Sequence, residues 1–324
     1  MLPITELQNR LKKAFSELQL HGQPPELYEP IRYTMELGGK RMRPLLLLMA
    51  CDLFGGDVQK AIDASIGIEL FHNFTLLHDD IMDQAPLRRG KETVYKRWNA
   101  NRAILSGDTM FAMANLYMLR TPPSCVAQVL DIFNRTAIEV CEGQQLDMNF
   151  ETRQEVSAPE YLEMIRLKTG VLLAASLQIG ALIAGASSLA AQQLYECGIC
   201  LGLAFQLTDD LLDVYGEECT FGKMTGGDIV ANKKTYLYLR ALEHASTAQR
   251  TSLLKLFASI PDNPAVKIKE VKGIFDALEV RGITNKTIDS YFDLAISHLK
   301  AIGLPEKDTD VLRNYAASLM QRQV

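Results

Sequence analysis

From Thr169 to Tyr195 the chain runs for 27 residues without a charge, through VLLAASLQIGALIAGASSLAA. A segment so apolar has to leave water, either inside a protein core or inside a bilayer. Its length would suffice to span a membrane. However, Ser176, Gln178, Gly180, Gly185 and the Ser187-Ser188 pair interrupt it, and no aromatic belt flanks it. The reading that follows is a pair of buried helices, broken near Gly185-Ala186, inside a bundle.

The rest of the chain agrees with that reading. Apolar residues recur at three- and four-residue spacing over Ile4 to Leu20, Leu45 to Phe54, Ile62 to Met82 and Ala103 to Leu119. The pattern continues over Val126 to Met148, Tyr161 to Ile183 and Leu189 to Val214. Breaks fall at Gly22-Gln23-Pro24-Pro25, Gly38-Gly39, Gly55-Gly56, Pro122-Pro123, Gly226-Gly227 and Pro261 to Pro264. No alternating run flanked by turn residues argues for a sheet, and no low-complexity linker divides the chain. The expected fold class is therefore all-α, with residues 1–324 forming one multi-helix domain.

Composition narrows the function. A net charge of −5 leaves no general basic surface for nucleic acid, so an anionic partner has to be met by local cations or by metal. The N-terminal MLPITELQNRLKKAF reads as an amphipathic helix, without a signal or transit pattern. Six cysteines, including Cys197 and Cys200, read as reduced, core-facing thiols of a cytoplasmic protein.

Two aspartate triplets carry the chemistry: Asp79, Asp80 and Asp83, then Asp209, Asp210 and Asp213, each ending an apolar helical stretch. On a helix the first and last of each triplet share a face, and the expectation is three carboxylates presented to one point. Their mutual repulsion is relieved by a hard cation. Mg²⁺ suits, because it binds through one or two carboxylates and completes its shell with water and substrate phosphates. Two such patches facing each other would hold a polyphosphate.

Cations accompany both triplets. Gly38-Gly39-Lys40-Arg41-Met42-Arg43-Pro44 sets Lys40 and Arg43 at a helix N-terminus, itself favourable for phosphate. Pro86-Leu87-Arg88-Arg89-Gly90 follows the first triplet. Phe221-Gly222-Lys223, Gly226-Gly227-Asp228 and Lys233-Lys234-Thr235 follow the second. Singly, each is an ordinary solvated loop; their order around both triplets points to a diphosphate site.

In that order the motifs resemble those of the trans-type isoprenyl diphosphate synthases, the polyprenyl synthetase family of head-to-tail prenyltransferases. The resemblance runs from about Pro24 to Leu242, through GGKRMRP, HNFTLLHDDIMD, PLRRG, LKTG, FQLTDDLLD, FGKMTGGD and NKKT; the C-terminal third matches more loosely. It implies an isoprenoid-synthase bundle around a central apolar cavity, commonly a homodimer. It also implies Asp79, Asp80, Asp83, Asp209 and Asp213 as ligands of three Mg²⁺ ions on an allylic diphosphate, with Asp210 and Asp213 reaching them through bound water. Arg88, Lys168, Lys223 and Lys233 complete that clamp. Isopentenyl diphosphate is held without metal by Lys40, Arg43, His72 and Arg89. Thr169, the Lys168 carbonyl and Gln206 steady the allylic cation. The implied reaction is ionisation, condensation and proton loss.

Product length, on the same resemblance, is set by the residues at the fifth and fourth positions before Asp79, Phe74 and Thr75. They lie about 7.5 and 6 Å along the helix axis from it. One aromatic there implies a geranylgeranyl (C20) synthase; aromatics at both positions imply farnesyl (C15), which stays open as an alternative. Met110 and Met113, on the next helix, would reshape the pocket. More distant alternatives are a class I terpene cyclase, which typically has a different second triad and lacks the GGKR site, and a non-catalytic synthase subunit, which usually lacks some of the aspartates.

Overall fold

The computed structural model describes residues 1–216, 225–258 and 263–320. Ten helices lead up to the second acidic triplet and include its three aspartates: α1 (Ile4–Ser16), α2 (Pro25–Glu36), α3 (Met42–Leu53), α4 (Ile62–Met82), α5 (Val94–Arg97), α6 (Ala100–Met118), α7 (Val126–Thr152), α8 (Ala158–Ile165), α9 (Val171–Ile183) and α10 (Ser188–Tyr215). Then come α11 (Gly227–Val230), α12 (Tyr236–His244), α13 (Thr247–Phe257), α14 (Pro264–Ala277), α15 (Val280–Ala301) and α16 (Glu306–Met320). The only strands among the described residues are Leu87–Arg88 (β1) and Lys91–Glu92 (β2). The all-α class holds.

The chain forms two compact units. The first contains residues 1–135, 175–195 and 302–312, the second 136–174, 196–301 and 313–324. In the first, α4 packs chiefly against α6 and α3. It is buried almost all round in its first ten residues, from Ile62 through Phe71. Its polar residues there are internally bonded: Ser65 donates to the carbonyls of Ala61 and Pro44, which removes the cost of burying a bare hydroxyl. In the second unit, α9 and α10 meet through small residues: a Cβ on Gly198 would lie 2.4 Å from the Ala174 Cα.

The uncharged stretch behaves as a broken helix pair. Gly185, with φ +83°, separates α9 from α10. One continuous helical stretch among the described residues, Ala158–Ile183, is long and apolar enough to cross a membrane, and 83% of its most apolar window is buried inside the protein. Cys197 and Cys200 are buried thiols, which burial pushes up to about 12 and about 11.

Two local details differ from the periodicity. The α1 helix stops at Ser16, with Glu17 as its C-cap, rather than continuing to Leu20. The Pro86–Gly90 loop forms a hairpin too short to show alternation. Arg89 and Gly90 both have positive φ, 54° and 76°, the conformation of a tight hairpin turn. Its register pairs Leu87 with Glu92 and Arg88 with Lys91.

Candidate active site

The first acidic triplet lies on the last turn of α4 and its C-cap. Asp79 is half-buried, Asp83 exposed and Asp80 buried. Three carboxylates do not converge here as expected. Asp80, about 100° round the helix from Asp79, accepts from Arg88: Nε lies 2.8 and 3.0 Å from its two oxygens and Nη2 lies 2.7 Å from Oδ1. A buried carboxylate is stable only when paired, and the guanidinium fork matches it.

The hairpin separates the two arginines. Arg88 ends β1 and reaches Asp80, whereas Arg89 opens the turn in the left-handed region and reaches the Gly38-Gly39 turn. Gly39 has φ +137°, and a Cβ there would come 2.7 Å from Arg89 Nη2. Only glycine accommodates both the backbone and that guanidinium. Arg43, in the first turn of α3, donates from Nη1 to His72 Nε2 at 3.2 Å. An arginine has only donors, so Nε2 carries the lone pair and the His72 proton sits on Nδ1. Burial, followed by Arg43, Arg89 and Arg88, holds His72 well below the usual imidazole range. Lys40 is exposed at the same turn. Arg41 has a different role: its guanidinium stacks 4.0 Å from the Phe15 ring centroid and pins α1.

Glu69 lies under this cation cluster. It is almost wholly buried, burial raises its pKa, and Arg43, Arg41, Asn73 and Arg89 oppose the rise. Asn73 donates to its Oε1 at 3.3 Å. Sequence reasoning missed Glu69; its signal was the spacing Glu69-x-x-His72, which puts a carboxylate on the face of α4 that carries His72.

Along α4, Phe74 stacks on Phe111 of α6, with centroids 5.3 Å apart and 19° between planes. Phe71 stands behind both and packs edge-on against Phe133. Thr75 turns its hydroxyl to the His72 carbonyl at 2.8 Å. Met110 is fully buried. Met113 lines a cavity of about 700 Å³, with Ile62, Ile66 and Leu116, at the end of α4 remote from Asp79. Phe111, absent from the sequence reading, is the partner that makes Phe74 a wall.

The second triplet ends α10. Asp209 and Asp213 are half-buried and Asp210 is buried. Asp213 Oδ2 accepts from the Asp228 backbone N–H at 3.0 Å, fixing the start of α11. Asp210 accepts from Tyr161 OH at 2.7 Å and from Gln206 Nε2 at 3.2 Å. Burial and then Asp228 push its pKa up to about 7. Thr169 donates to Gln206 Oε1 at 3.1 Å, and Lys168 Nζ pairs with Asp147 Oδ2 at 2.5 Å. A cavity of about 130 Å³ is lined by Asp147, Lys168, Thr169, Gln206, Asp210 and Lys233, among others. The neighbouring Lys234 also lines it but donates to the carbonyls of Phe150 and Glu151, closing the C-terminus of α7. Lys223 lies outside the described residues. Asp147 and Tyr161 were not foreseen, because their significance depends on which helix faces which.

Among the described residues no three carboxylate, imidazole or thiol groups converge to hold a metal ion on their own. With Asp80 paired to Arg88, and Asp210 to Tyr161 and Gln206, each triplet offers only one or two carboxylates. That donor set fits Mg²⁺, which takes few protein oxygens and completes its shell from water and phosphate, and does not fit a closed tetrahedral cage.

Comparison with known proteins follows the same lines. The family model "Polyprenyl synthetase" matches residues 24–275. A geranylgeranyl diphosphate synthase of Methanosarcina mazei is 42% identical over 248 residues, covering 75% of this chain and 76% of its own. A geranylfarnesyl diphosphate synthase of Natronomonas pharaonis is 35% identical, covering 98% and 96%. A crystal structure of geranylgeranyl pyrophosphate synthase superposes with a TM-score of 0.95 at 43% identity, covering 100% of both chains.

Proposed function

This chain belongs to the polyprenyl synthetase family and is a prenyl diphosphate synthase, and on that premise we propose that it makes geranylgeranyl diphosphate. It would condense isopentenyl diphosphate head-to-tail with C5, C10 and C15 allylic diphosphates in turn. The strongest support is that Arg88 accompanies the first acidic triplet, Lys168 and Lys233 line the cavity beside the second, and Arg43, His72 and Arg89 form a further cationic cluster.

In this reading Lys40, Arg43, Arg89 and the His72 Nδ1–H bind the diphosphate of isopentenyl diphosphate, with Glu69 beneath them balancing charge. Asp79, Asp83, Asp209 and Asp213 would form the metal set for the allylic diphosphate, joined by Asp80 once Arg88 leaves it for the phosphate, and Asp210 completes the second triplet. Arg88, Lys168, Lys223 and Lys233 contact that group directly. Lys168 leaves Asp147 to do so. Three Mg²⁺ ions held by these aspartates would supply the remaining positive charge for the departing diphosphate. Thr169, the Lys168 carbonyl and Gln206 turn oxygen dipoles to the allylic cation, stabilising it without attacking it. The double bond of isopentenyl diphosphate adds to that cation, a C–C bond forms, and the proton lost passes to the departing diphosphate. Apolar walls exclude water, which would otherwise quench the cation.

Phe74, backed by Phe111, supports C20 as the stopping length. The working unit is proposed to be a homodimer formed through α6, where Leu105, Leu116 and Leu119 are 59%, 57% and 54% exposed on one stripe. The buried free thiols Cys51, Cys125, Cys197 and Cys200 suit a reducing, cytoplasmic setting. The test is to incubate the purified protein with isopentenyl diphosphate, Mg²⁺ and each allylic diphosphate, and to size the dephosphorylated products. C20 alcohol is expected from all three starters. A C15 or C25 end product refutes the length assignment, and cyclic hydrocarbon without condensation refutes the reaction.

A further inference from the structure

Tyr161 has no part in the reaction described above, yet it is wholly buried beside the second acidic triplet. The α8 helix that carries it begins with a capping box: Ser157 and Glu160 exchange hydrogen bonds, and Arg153 holds Glu160 at 2.8 Å. After α8 the helix widens into a π-turn, Arg166–Gly170, in which the Val171 N–H bonds back to the Arg166 carbonyl. On an undisturbed helix Thr169, eight residues on, would lie roughly 80° round from Tyr161; the extra residue brings it back to within roughly 20°. Tyr161 and Thr169 thus face the same neighbour, α10.

The turn is clamped on two sides. A Cβ on Gly143 of α7 would fall 2.4 Å from the Lys168 backbone nitrogen, and one on Gly202 of α10 would fall 2.4 Å from the Gly170 Cα. Contact so close leaves no room for the turn to shift. Across it runs a chain of hydrogen bonds from Thr169 OH to Gln206 Oε1, from Gln206 Nε2 to Asp210 Oδ1, and from Tyr161 OH to Asp210 Oδ2. Asp210 thus meets the NH₂ end of the Gln206 amide, and the carbonyl end lies toward the Thr169 hydroxyl that donates to it.

We propose that Tyr161 is a positioning residue: by holding Asp210 it fixes the orientation of the Gln206 amide, so that the carbonyl dipole faces the allylic cation. The proposal rests on the prenyl-transfer reading. Removing the Tyr161 hydroxyl leaves Asp210 with one fixed oxygen, lets the Gln206 amide turn its NH₂ end to the cation, and withdraws stabilisation from the step that forms it.

The test compares the wild type with Tyr161→Phe, Gln206→Leu and the double variant. Tyr161→Phe should lower kcat about ten- to hundredfold, the effect of losing one hydrogen bond to a charged group, with KM for isopentenyl diphosphate unchanged. It should also raise the ratio of allylic alcohol to condensed product, a readout that a purely structural role would not move. In the double variant the tyrosine change should add little to Gln206→Leu. Wild-type turnover and alcohol ratio in Tyr161→Phe, or effects that multiply in the double variant, overturn the proposal. Asp210→Asn gives a second arm even if Tyr161→Phe does not fold. It keeps the shape but accepts either amide orientation, so a wild-type alcohol ratio there also overturns the proposal. A wild type that forms no condensed product removes the prenyl-transfer reading itself, and the proposal with it, before any variant is made.

Discussion

At the scale of single residues, Phe74 and His72 carry separable consequences. Phe74 is one half of a stacked pair with Phe111, so Phe74→Ala removes bulk from one side of the wall only. Product sizing should show at least one isoprene unit added, as a mixture, because Phe111 remains. His72 makes a claim about pH. Its pKa is depressed in the folded protein by burial and by the neighbouring arginines, so the folded state binds fewer protons there than the unfolded chain. Stability from the neutral ring is present above the unfolded value, about 6.5, and is lost as pH falls below it toward the depressed value. Denaturant titrations should therefore show the wild type losing stability relative to His72→Gln as pH drops below about 6.5. Parallel curves would mean that the ring is not held neutral. Part of this scale was named in sequence: the aspartates from their spacing, Arg43 from its place at a helix start, and Lys168 through the family resemblance alone. Glu69, Asp147 and Tyr161 were not, because each acts on a group at least 21 residues away or lies beneath a cluster that forms only on folding.

At the scale of elements, the hairpin and the end of α7 show how adjacent, chemically equal residues diverge. Arg88 and Arg89 point apart because the strand ends at Arg88 and the chain enters a left-handed turn at Arg89; Lys233 and Lys234 diverge because Lys234 caps the Phe150 and Glu151 carbonyls. Lys234→Ala should cost about 1–2 kcal/mol of stability and leave turnover near normal. Lys233→Ala should raise KM for the allylic diphosphate about tenfold or more, since it removes a charge-assisted contact, with little effect on stability. Equal kinetic losses in both variants would refute the division. Helix positions were readable from the apolar spacing, and α4 was read from Ile62 to Met82 as observed. The π-turn was not, since the repeat from Tyr161 to Ile183 looks continuous. The turn packs closely against Gly143 and Gly202, tertiary contacts without a local signature.

At the scale of the whole molecule, the exposed leucines of α6 predict the assembly. Leu105→Glu with Leu116→Glu places two charges on the apolar stripe; sedimentation is expected to report a dimer for the wild type and a monomer for the variant. A wild type that sediments as a monomer rules the dimer out. The central claim is that both acidic triplets serve one reaction, and it is tested most directly by the condensation rate of Asp79→Ala and Asp209→Ala, each checked for wild-type helicity. The account predicts that each variant loses at least about a hundredfold in kcat, on the scale of removing one electrostatic stabiliser of a transition state. Near-normal turnover by either folded variant would contradict it.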